Sequence, residues 1–371
     1  MTFTATQSSI DHAKHAGEDW LIHACEHGWL PDRLIRFGMR RVMRQRLIEE
    51  GALDHELHSQ RFNALIDELR ASPIAIETDA ANAQHYELPP SFFKEHLGPH
   101  LKYSCCFYPR GDETLERAEQ SMLELYAERA QIEDGQTILD LGCGWGALAV
   151  WLAARYPRAQ IVALSNSRSQ REFIEARAAS AGITNLRVVT GNVVQFEFSD
   201  PFKARAPFGA GDFDRVLSIE MFEHMKNYDA LLERIARWMR PDGKLFVHIF
   251  AHRTLAYHFQ THDTSDWMSK YFFTGGTMPS EALLRHFQRN LRIDRQWWID
   301  GTHYARTAEH WLMNLDRARG RVMPELALVY GVENAAIWFQ RWRMFYMAVA
   351  ELFGYARGNE WGIAHYLFDK R

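Results

Sequence analysis

Apolar and polar positions alternate in three different ways along the chain. Up to about residue 80, apolar residues recur at intervals of three and four, as in "PDRLIRFGMRRVMRQRLIEE" and "QRFNALIDELRA". That spacing predicts amphipathic helices. "HYELPPSFFKEHLGPHLKYSCCFYP" breaks the pattern with prolines, glycine and aromatics, and "ETLERAEQSMLELYAERA" resumes it. From Gln136 the period changes. "TILDLGCG", "QIVALSNS", "LRVVTGN", "FDRVLSIE" and "GKLFVHIF" are short apolar runs that read as strands. Between them "ALAVWLAARYP", "RSQREFIEARAASAG" and "YDALLERIARWMRPDG" read as helices, the first closed by Pro157 and the second by Gly182. Strands alternating with helices of this length predict βαβ units and a parallel sheet covered on both faces, an α/β fold.

After Phe250 comes "AHRTLAYHFQTHDTSDWMSKYFFTGGTMPS", too long and too aromatic for an ordinary connection, and a candidate lid. "LRIDRQWWID" predicts another strand, helices fill roughly 307–356, and "HYLFDK" suits a closing strand. The expected division is a helical region over 1–80, a covering segment over 81–125, a nucleotide-binding core over 126–250, and lid, pocket helices and closing strands over 251–371.

Composition narrows the possibilities. With 47% hydrophobic and 24% charged residues in 371, the chain is expected to fold around a large core. A formal net charge of −4 argues against a general nucleic-acid binder. One local exception is "RLIRFGMRRVMRQRLI", with Ile35, Met39, Val42 and Leu47 at helical spacing among six arginines. It reads as a helix with a solvated basic face, or alternatively as one that meets a membrane surface or an anionic partner. The twelve tryptophans gather toward the C-terminus, which fits a heavy core or an aromatic-lined pocket. Cys25, Cys105, Cys106 and Cys143 have the spacing of neither a zinc site nor a disulfide framework. The start lacks an apolar signal region and no run approaches ~20 apolar residues, so a cytoplasmic protein is expected.

Candidate chemistry sits at two strand ends. "LDLGCGWGAL" places Gly142, Gly144 and Gly146 between a strand and a helix, where glycines let the backbone approach a ligand. Asp140, on the strand just before them, can hold a cationic or amino-acid group. A dinucleotide site would show G-x-G-x-x-G and an acid ending the second strand. Here that strand ends in Asn166, with Gln170 nearby, and the third ends at Asn192. The pattern favours S-adenosylmethionine over NAD. Further on, "SIEMFEHMKNYD" follows the fourth strand, and one helical turn would put Glu220, Glu223 and His224 on one face.

"YSCCFY", "LDLGCGWGAL", "FEHMKNY" and "GGTMPS" resemble the cyclopropane fatty-acid synthase superfamily of S-adenosylmethionine-dependent methyltransferases. Within it the chain looks most like coclaurine-type N-methyltransferases. The resemblance runs from about residue 75 to the C-terminus and, more weakly, over the N-terminal helices. It implies a class I Rossmann-like methyltransferase core with an N-terminal helical extension and a C-terminal helical and lid insertion. It places the cofactor against Tyr103, Ser104, the three glycines, Asn166, Gln170, Asn192 and Val193.

The same resemblance implies two chemistries. In the N-methyltransferases the residues matching Glu220, Glu223 and His224 line an amine pocket, and cyclopropane synthases usually have glycine at the first of them. Trp342 and Phe345 match aromatic pocket residues that hold a cationic amine. In the cyclopropane synthases a bicarbonate base is held by residues that match Cys105, Glu223, His248 and Tyr304. Either a small-molecule amine or a membrane phospholipid is therefore the expected partner, with a homodimer as the expected assembly and the membrane surface as the lipid reading's location. With an amine acceptor His224 is the expected general base and Tyr304→Phe should matter little. With an alkene acceptor Tyr304→Phe and Cys105→Ala should be the damaging changes.

Overall fold

The computed structural model describes residues 20–76, 88–198, 211–259 and 267–371. The strands are β1 (Thr137–Leu141), β2 (Gln160–Ser165), β3 (Leu186–Thr190), β4 (Phe213–Ile219), β5 (Met239–His252), β6 (Tyr257–His258), β7 (Thr277–Met278), β8 (Leu291–Ile299) and β9 (Trp361–Lys370). Seven of them form one sheet in the order β3-β2-β1-β4-β5-β9-β8. The first five are parallel, and β9 runs antiparallel between β5 and β8. This is the mixed α/β fold anticipated from the alternating pattern.

The helices are α1 (Asp32–Glu49), α2 (His55–Ala71), α3 (Pro90–Lys94), α4 (Leu115–Arg129), α5 (Ala147–Arg155), α6 (Arg168–Ser180), α7 (Tyr228–Trp238), α8 (Trp267–Tyr271), α9 (Thr302–Arg317), α10 (Arg319–Tyr330) and α11 (Ala335–Gly354). Strand alternation divides the core between the two sheet faces. Ile138, Ile161 and Ala163 pack with α4, α5 and α11, while Leu139, Val162 and Leu164 pack with α2 and α7. Both faces being covered is the reason these strands read as continuous apolar runs.

Three expectations need amendment. The predicted helix "YDALLERIARWMRPDG" stops at Trp238, and "MRPDG" opens β5 instead. Pro241 disfavours helical geometry at the residue before it, which fits that early stop. In α1 the inward stripe is Ile35, Met39, Met43 and Leu47, spaced by four, and Val42 is 47% exposed. Among the six arginines of that segment, Arg36 bonds Glu309 of α9 and Glu351 of α11, Arg40 bonds Glu351, and Arg46 pairs with Glu50. The basic face is therefore only partly solvated. No described helix is long and apolar enough to cross a membrane.

The candidate lid is described on both sides of residues 260–266, which lie outside the described residues. Its ends pair as the β6–β7 ladder, and Phe259 N–H donates to Gly276 O. Lys226 Nζ donates to Thr277 Oγ1 at 2.8 Å, tying β7 to the turn after β4. Trp267 Nε1 and Arg341 Nε both donate to Glu26 Oε1, at 2.8 and 2.9 Å. Glu26, ahead of α1, thus holds α8 against α11.

Candidate active site

From β1 the chain winds outward through β2 and β3, then crosses to β4 on the other side of β1. The connections leaving β1 and β4 therefore diverge, and a crevice opens at their carboxyl ends. Leu141 and Ser218 are register partners there, and Ser218 Oγ donates to Leu141 O at 3.2 Å. Topology alone brings the glycine loop beside the Glu220 turn.

On the glycine side, Gly142, Gly144 and Gly146 have φ of +81°, +50° and +77°, a region that favours glycine. A Cβ at Gly142 would lie 2.9 Å from Met221 Cγ, and one at Gly146 would lie 2.7 Å from Ile174 Cγ1. Those two positions are closed by packing. A Cβ at Gly144 would meet nothing within 4 Å, because it faces an open cavity. That cavity lies between the glycine loop, Asp140, the segment Leu101–Ser104, Tyr126 and Glu220.

Asp140 is 1% exposed, and its Oδ2 has no hydrogen-bond partner. Burial pushes its carboxyl up to about 7, against the smaller opposing effect of a backbone hydrogen bond from Ala149. A buried acid with one oxygen unpartnered, beside a cavity that a glycine leaves open, fits the cationic groups of S-adenosylmethionine. Tyr103 and Ser104 line the same cavity. Asn166, Gln170, Asn192 and Val193 stand apart from it, at the ends of β2 and β3. Gln170 is buried and accepts from Ser165 Oγ at 2.6 Å, Asn192 Oδ1 accepts from Val194 N–H at 2.9 Å, and Asn166 is exposed.

On the other side stands Glu220, with φ of +48°. A side chain in this region costs roughly 1–2 kcal/mol, and such residues cluster at functional sites. Its carboxyl group meets three polar partners. Cys105 N–H donates to Oε1 at 2.9 Å, His248 Nε2 is 3.0 Å from Oε1, and the Tyr304 hydroxyl donates to Oε2 at 2.7 Å. Cys105, His248 and Tyr304 are three of the four residues expected to hold bicarbonate, and here they hold a carboxylate of the chain. Cys105 takes part through its backbone, its thiol turning to Cys106 O at 3.3 Å. Burial pushes the Glu220 carboxyl up, while Lys102, the Cys105 N–H, the Tyr304 hydroxyl and His224 pull it down.

Glu223 is fully buried, and neither carboxyl oxygen has a hydrogen-bond partner. Burial, then the neighbouring Glu220, push its carboxyl well above the usual carboxylate range. Burial pushes His224 down to about 4, so its ring is neutral near pH 7. That ring stacks on Phe273 with centroids 6.0 Å apart, and Phe273 lies 6.2 Å from Phe345. Trp342 and Phe345 are both buried, touching Phe272 at 5.2 and 4.3 Å. They back the aromatic wall beside His224 and do not line the cofactor cavity.

Lys102 carries no recognisable motif, yet it is 2% exposed beside the cavity. Its Nζ donates to Ser104 Oγ at 2.5 Å and to Cys105 O at 2.6 Å, which braces the segment that presents the Cys105 N–H. A lysine flanked by apolar residues in "HLKYSC" was the available signal.

Fold and cavity together define an S-adenosylmethionine-dependent methyltransferase. More narrowly, residues 75–354 match the model of the mycolic acid cyclopropane synthetase family, and the chain belongs to that family. It is 37% identical over 355 residues to the (S)-coclaurine N-methyltransferase of Thalictrum flavum subsp. glaucum, covering 95% of each chain. The crystal structure of a coclaurine N-methyltransferase bound to N-methylheliamine and SAH superposes with a TM-score of 0.88 at 36% identity, covering 94% of this chain and 99% of that one. The cyclopropane synthase MmaA2 from Mycobacterium tuberculosis shares the fold at a TM-score of 0.64 and 22% identity, over 81% of this chain and 100% of that one.

Proposed function

We propose that the protein N-methylates a small amine, possessing a carboxylate-lined acceptor site built on Glu220, Glu223 and His224. The observation that carries this reading is the engagement of the Glu220 carboxylate by Cys105 N–H, His248 Nε2 and Tyr304 Oη. Cys105 N–H and the Tyr304 hydroxyl each give their proton to Glu220, and His248 does so from the tautomer protonated on Nε2. A bicarbonate base would find that donor set already satisfied by an anion. The likeness to amine methyltransferases over nearly the whole chain supports the same conclusion.

Bound S-adenosylmethionine supplies an electrophilic methyl group. Asp140, whose Oδ2 has no protein partner, faces its cationic part across the cavity. The acceptor nitrogen must present a lone pair, so it attacks as the neutral amine. Glu220, fixed by three donors, orients the nitrogen and stabilises the positive charge that develops on it. The proton that the nitrogen sheds passes to the neutral His224 ring or to water, because burial and the neighbouring Glu220 hold the Glu223 carboxyl in its protonated form. Phe273, Phe345 and Trp342 give the acceptor an aromatic wall suited to a cyclic amine.

Methyl transfer from labelled S-adenosylmethionine to a panel of cyclic secondary amines, run beside unsaturated phospholipid vesicles, tests the reading. Label should enter the amines. Label found only in the lipid would establish the alkene chemistry and defeat the proposal.

A further inference from the structure

Behind Glu220, a row of hydrogen-bonding groups crosses the sheet away from the cavity. His248 on β5 and His365 on β9 are register partners, and Trp297 on β8 is the register partner of His365. His248 Nδ1 lies 2.8 Å from His365 Nε2, and His365 Nδ1 lies 2.8 Å from Arg129 Nη1. Arg129 ends α4, and its guanidinium covers the Trp297 ring at 4.9 Å. One turn earlier on the same helix, the Tyr126 hydroxyl stands 3.0 Å from His248 Nδ1. Both histidines are fully buried.

We propose that Arg129 and His365 are positioning residues that lock the tautomer of His248, so that its Nε2–H always points at Glu220. A guanidinium has only donors, so His365 Nδ1 must be the acceptor and cannot carry a proton. A neutral His365 then carries its proton on Nε2 and donates it to His248 Nδ1. That nitrogen must in turn be bare, which places the His248 proton on Nε2, 3.0 Å from Glu220 Oε1. Each step has one solution because the chain of bonds begins at a group that cannot accept. The Tyr126 hydroxyl can donate to the same bare nitrogen and opposes nothing in this order.

The lock has a chemical consequence. His248 cannot take a proton from Glu220 or the acceptor, since its only bare nitrogen faces an N–H. It is a fixed donor rather than a base, and the carboxylate stays charged and aimed. Without Arg129, His365 is free to hold its proton on Nδ1, and His248 can then turn a lone pair toward Glu220. Two lone pairs facing each other would push the carboxylate off its position.

The inference rests on the amine reading for the use made of Glu220, but the tautomer itself does not. The experiment is therefore ¹⁵N NMR of ¹⁵N-histidine-labelled protein saturated with S-adenosylhomocysteine and no acceptor, assigned with the His365→Gln variant. His248 should be protonated on Nε2 and bare on Nδ1. Arg129→Met, which keeps an aliphatic stem over Trp297, should change the tautomer of His365 and of His248. It should also lower kcat on the order of tenfold, the worth of one hydrogen bond to a charged group, with KM little changed. Arg129→Lys, which restores a donor, should recover both signals. A His248 protonated on Nδ1 in the unaltered protein would overturn the lock. So would an Arg129→Met protein whose tautomers are unchanged, whatever its activity. Should no amine be methylated while the tautomers follow this order, the amine reading fails and the lock stands.

Discussion

The Tyr304 hydroxyl donates to Glu220 Oε2 at 2.7 Å, joining the first turn of α9 to the turn after β4 across the head of the cavity. The ring of Tyr304 stacks on Phe353 at 4.5 Å, so the hydroxyl is aimed by packing as well as by its bond. This contact reverses the expectation that Tyr304→Phe is silent with an amine acceptor. A hydrogen bond to a charged group contributes about 1.5–3 kcal/mol, so Tyr304→Phe should lower kcat by about tenfold or more. Steady-state kinetics on a methylated amine decide it, and unchanged turnover would disconnect Tyr304 from Glu220.

Glu220 occupies a backbone conformation that glycine adopts freely, so Glu220→Gly should fold. It should lose roughly 10²–10³ in rate, the usual cost of removing a group that stabilises charge developing in the transition state. The variant would also leave three donors around a space the size of a small carboxylate. Added formate should therefore restore part of the activity in a saturable way. A folded Glu220→Gly protein that formate cannot rescue would show that the three donors do not make an anion site by themselves.

Cys105 serves Glu220 through its backbone N–H, and Cys105→Ala keeps that group. Activity should stay within about threefold of the unaltered protein, as expected where no hydrogen bond to the charged group is lost. Burial also pushes the thiol well above its ordinary range, so it stays protonated and unreactive. A crippled Cys105→Ala enzyme with intact folding would mean that the sulfur itself touches the chemistry.

Gly144 is the one glycine of the loop whose missing side chain faces only the cavity. Gly144→Val adds a branched group there and strains a φ of +50°. Calorimetry should find affinity for S-adenosylhomocysteine reduced by at least about 100-fold, since the substitution fills ligand space and distorts the loop. Circular dichroism should find the sheet intact. Unchanged affinity would move the cofactor away from this loop.

Asp140 makes stability depend on pH in a definite direction. Its carboxyl is raised from 3.8 to about 7 in the folded chain, so between those values the folded state holds more protons than the unfolded state. Stability is then highest below the lower value and declines as pH rises toward the upper one. Asp140→Asn removes the buried charge. It should raise the melting temperature of the cofactor-free protein at pH 8, leave it nearly unchanged at pH 4, and weaken cofactor binding. An equal shift at both pH values would show that the charge is not the cause.

Much of this molecule was readable from the order of residues. The five parallel strands and the helices between them announce themselves by period, because a strand covered on both faces must be apolar throughout. The glycine loop, Asp140 and the Glu220 turn were readable too, since each lies within a few residues of a strand end. Val42 and "MRPDG" were misread for local reasons: periodicity tolerates a neighbouring phase, and a proline's effect falls on the residue before it.

Partnerships between distant residues were not readable. Glu220 is bound by Cys105, His248 and Tyr304, separated from it by 115, 28 and 84 positions. From sequence these read as four candidates for two rival chemistries, with no sign that one carboxylate would satisfy the donors assigned to the other. Arg129 and His365 gave no signal at all, being an ordinary helix-ending arginine and a histidine in an apolar strand. Periodicity reports which face of an element is buried, but the direction of a hydrogen bond depends on angles set when α4, β5 and β9 pack together. The chain order determined the strands and the loops that end them, and only the assembled sheet decided which donor meets which carboxylate.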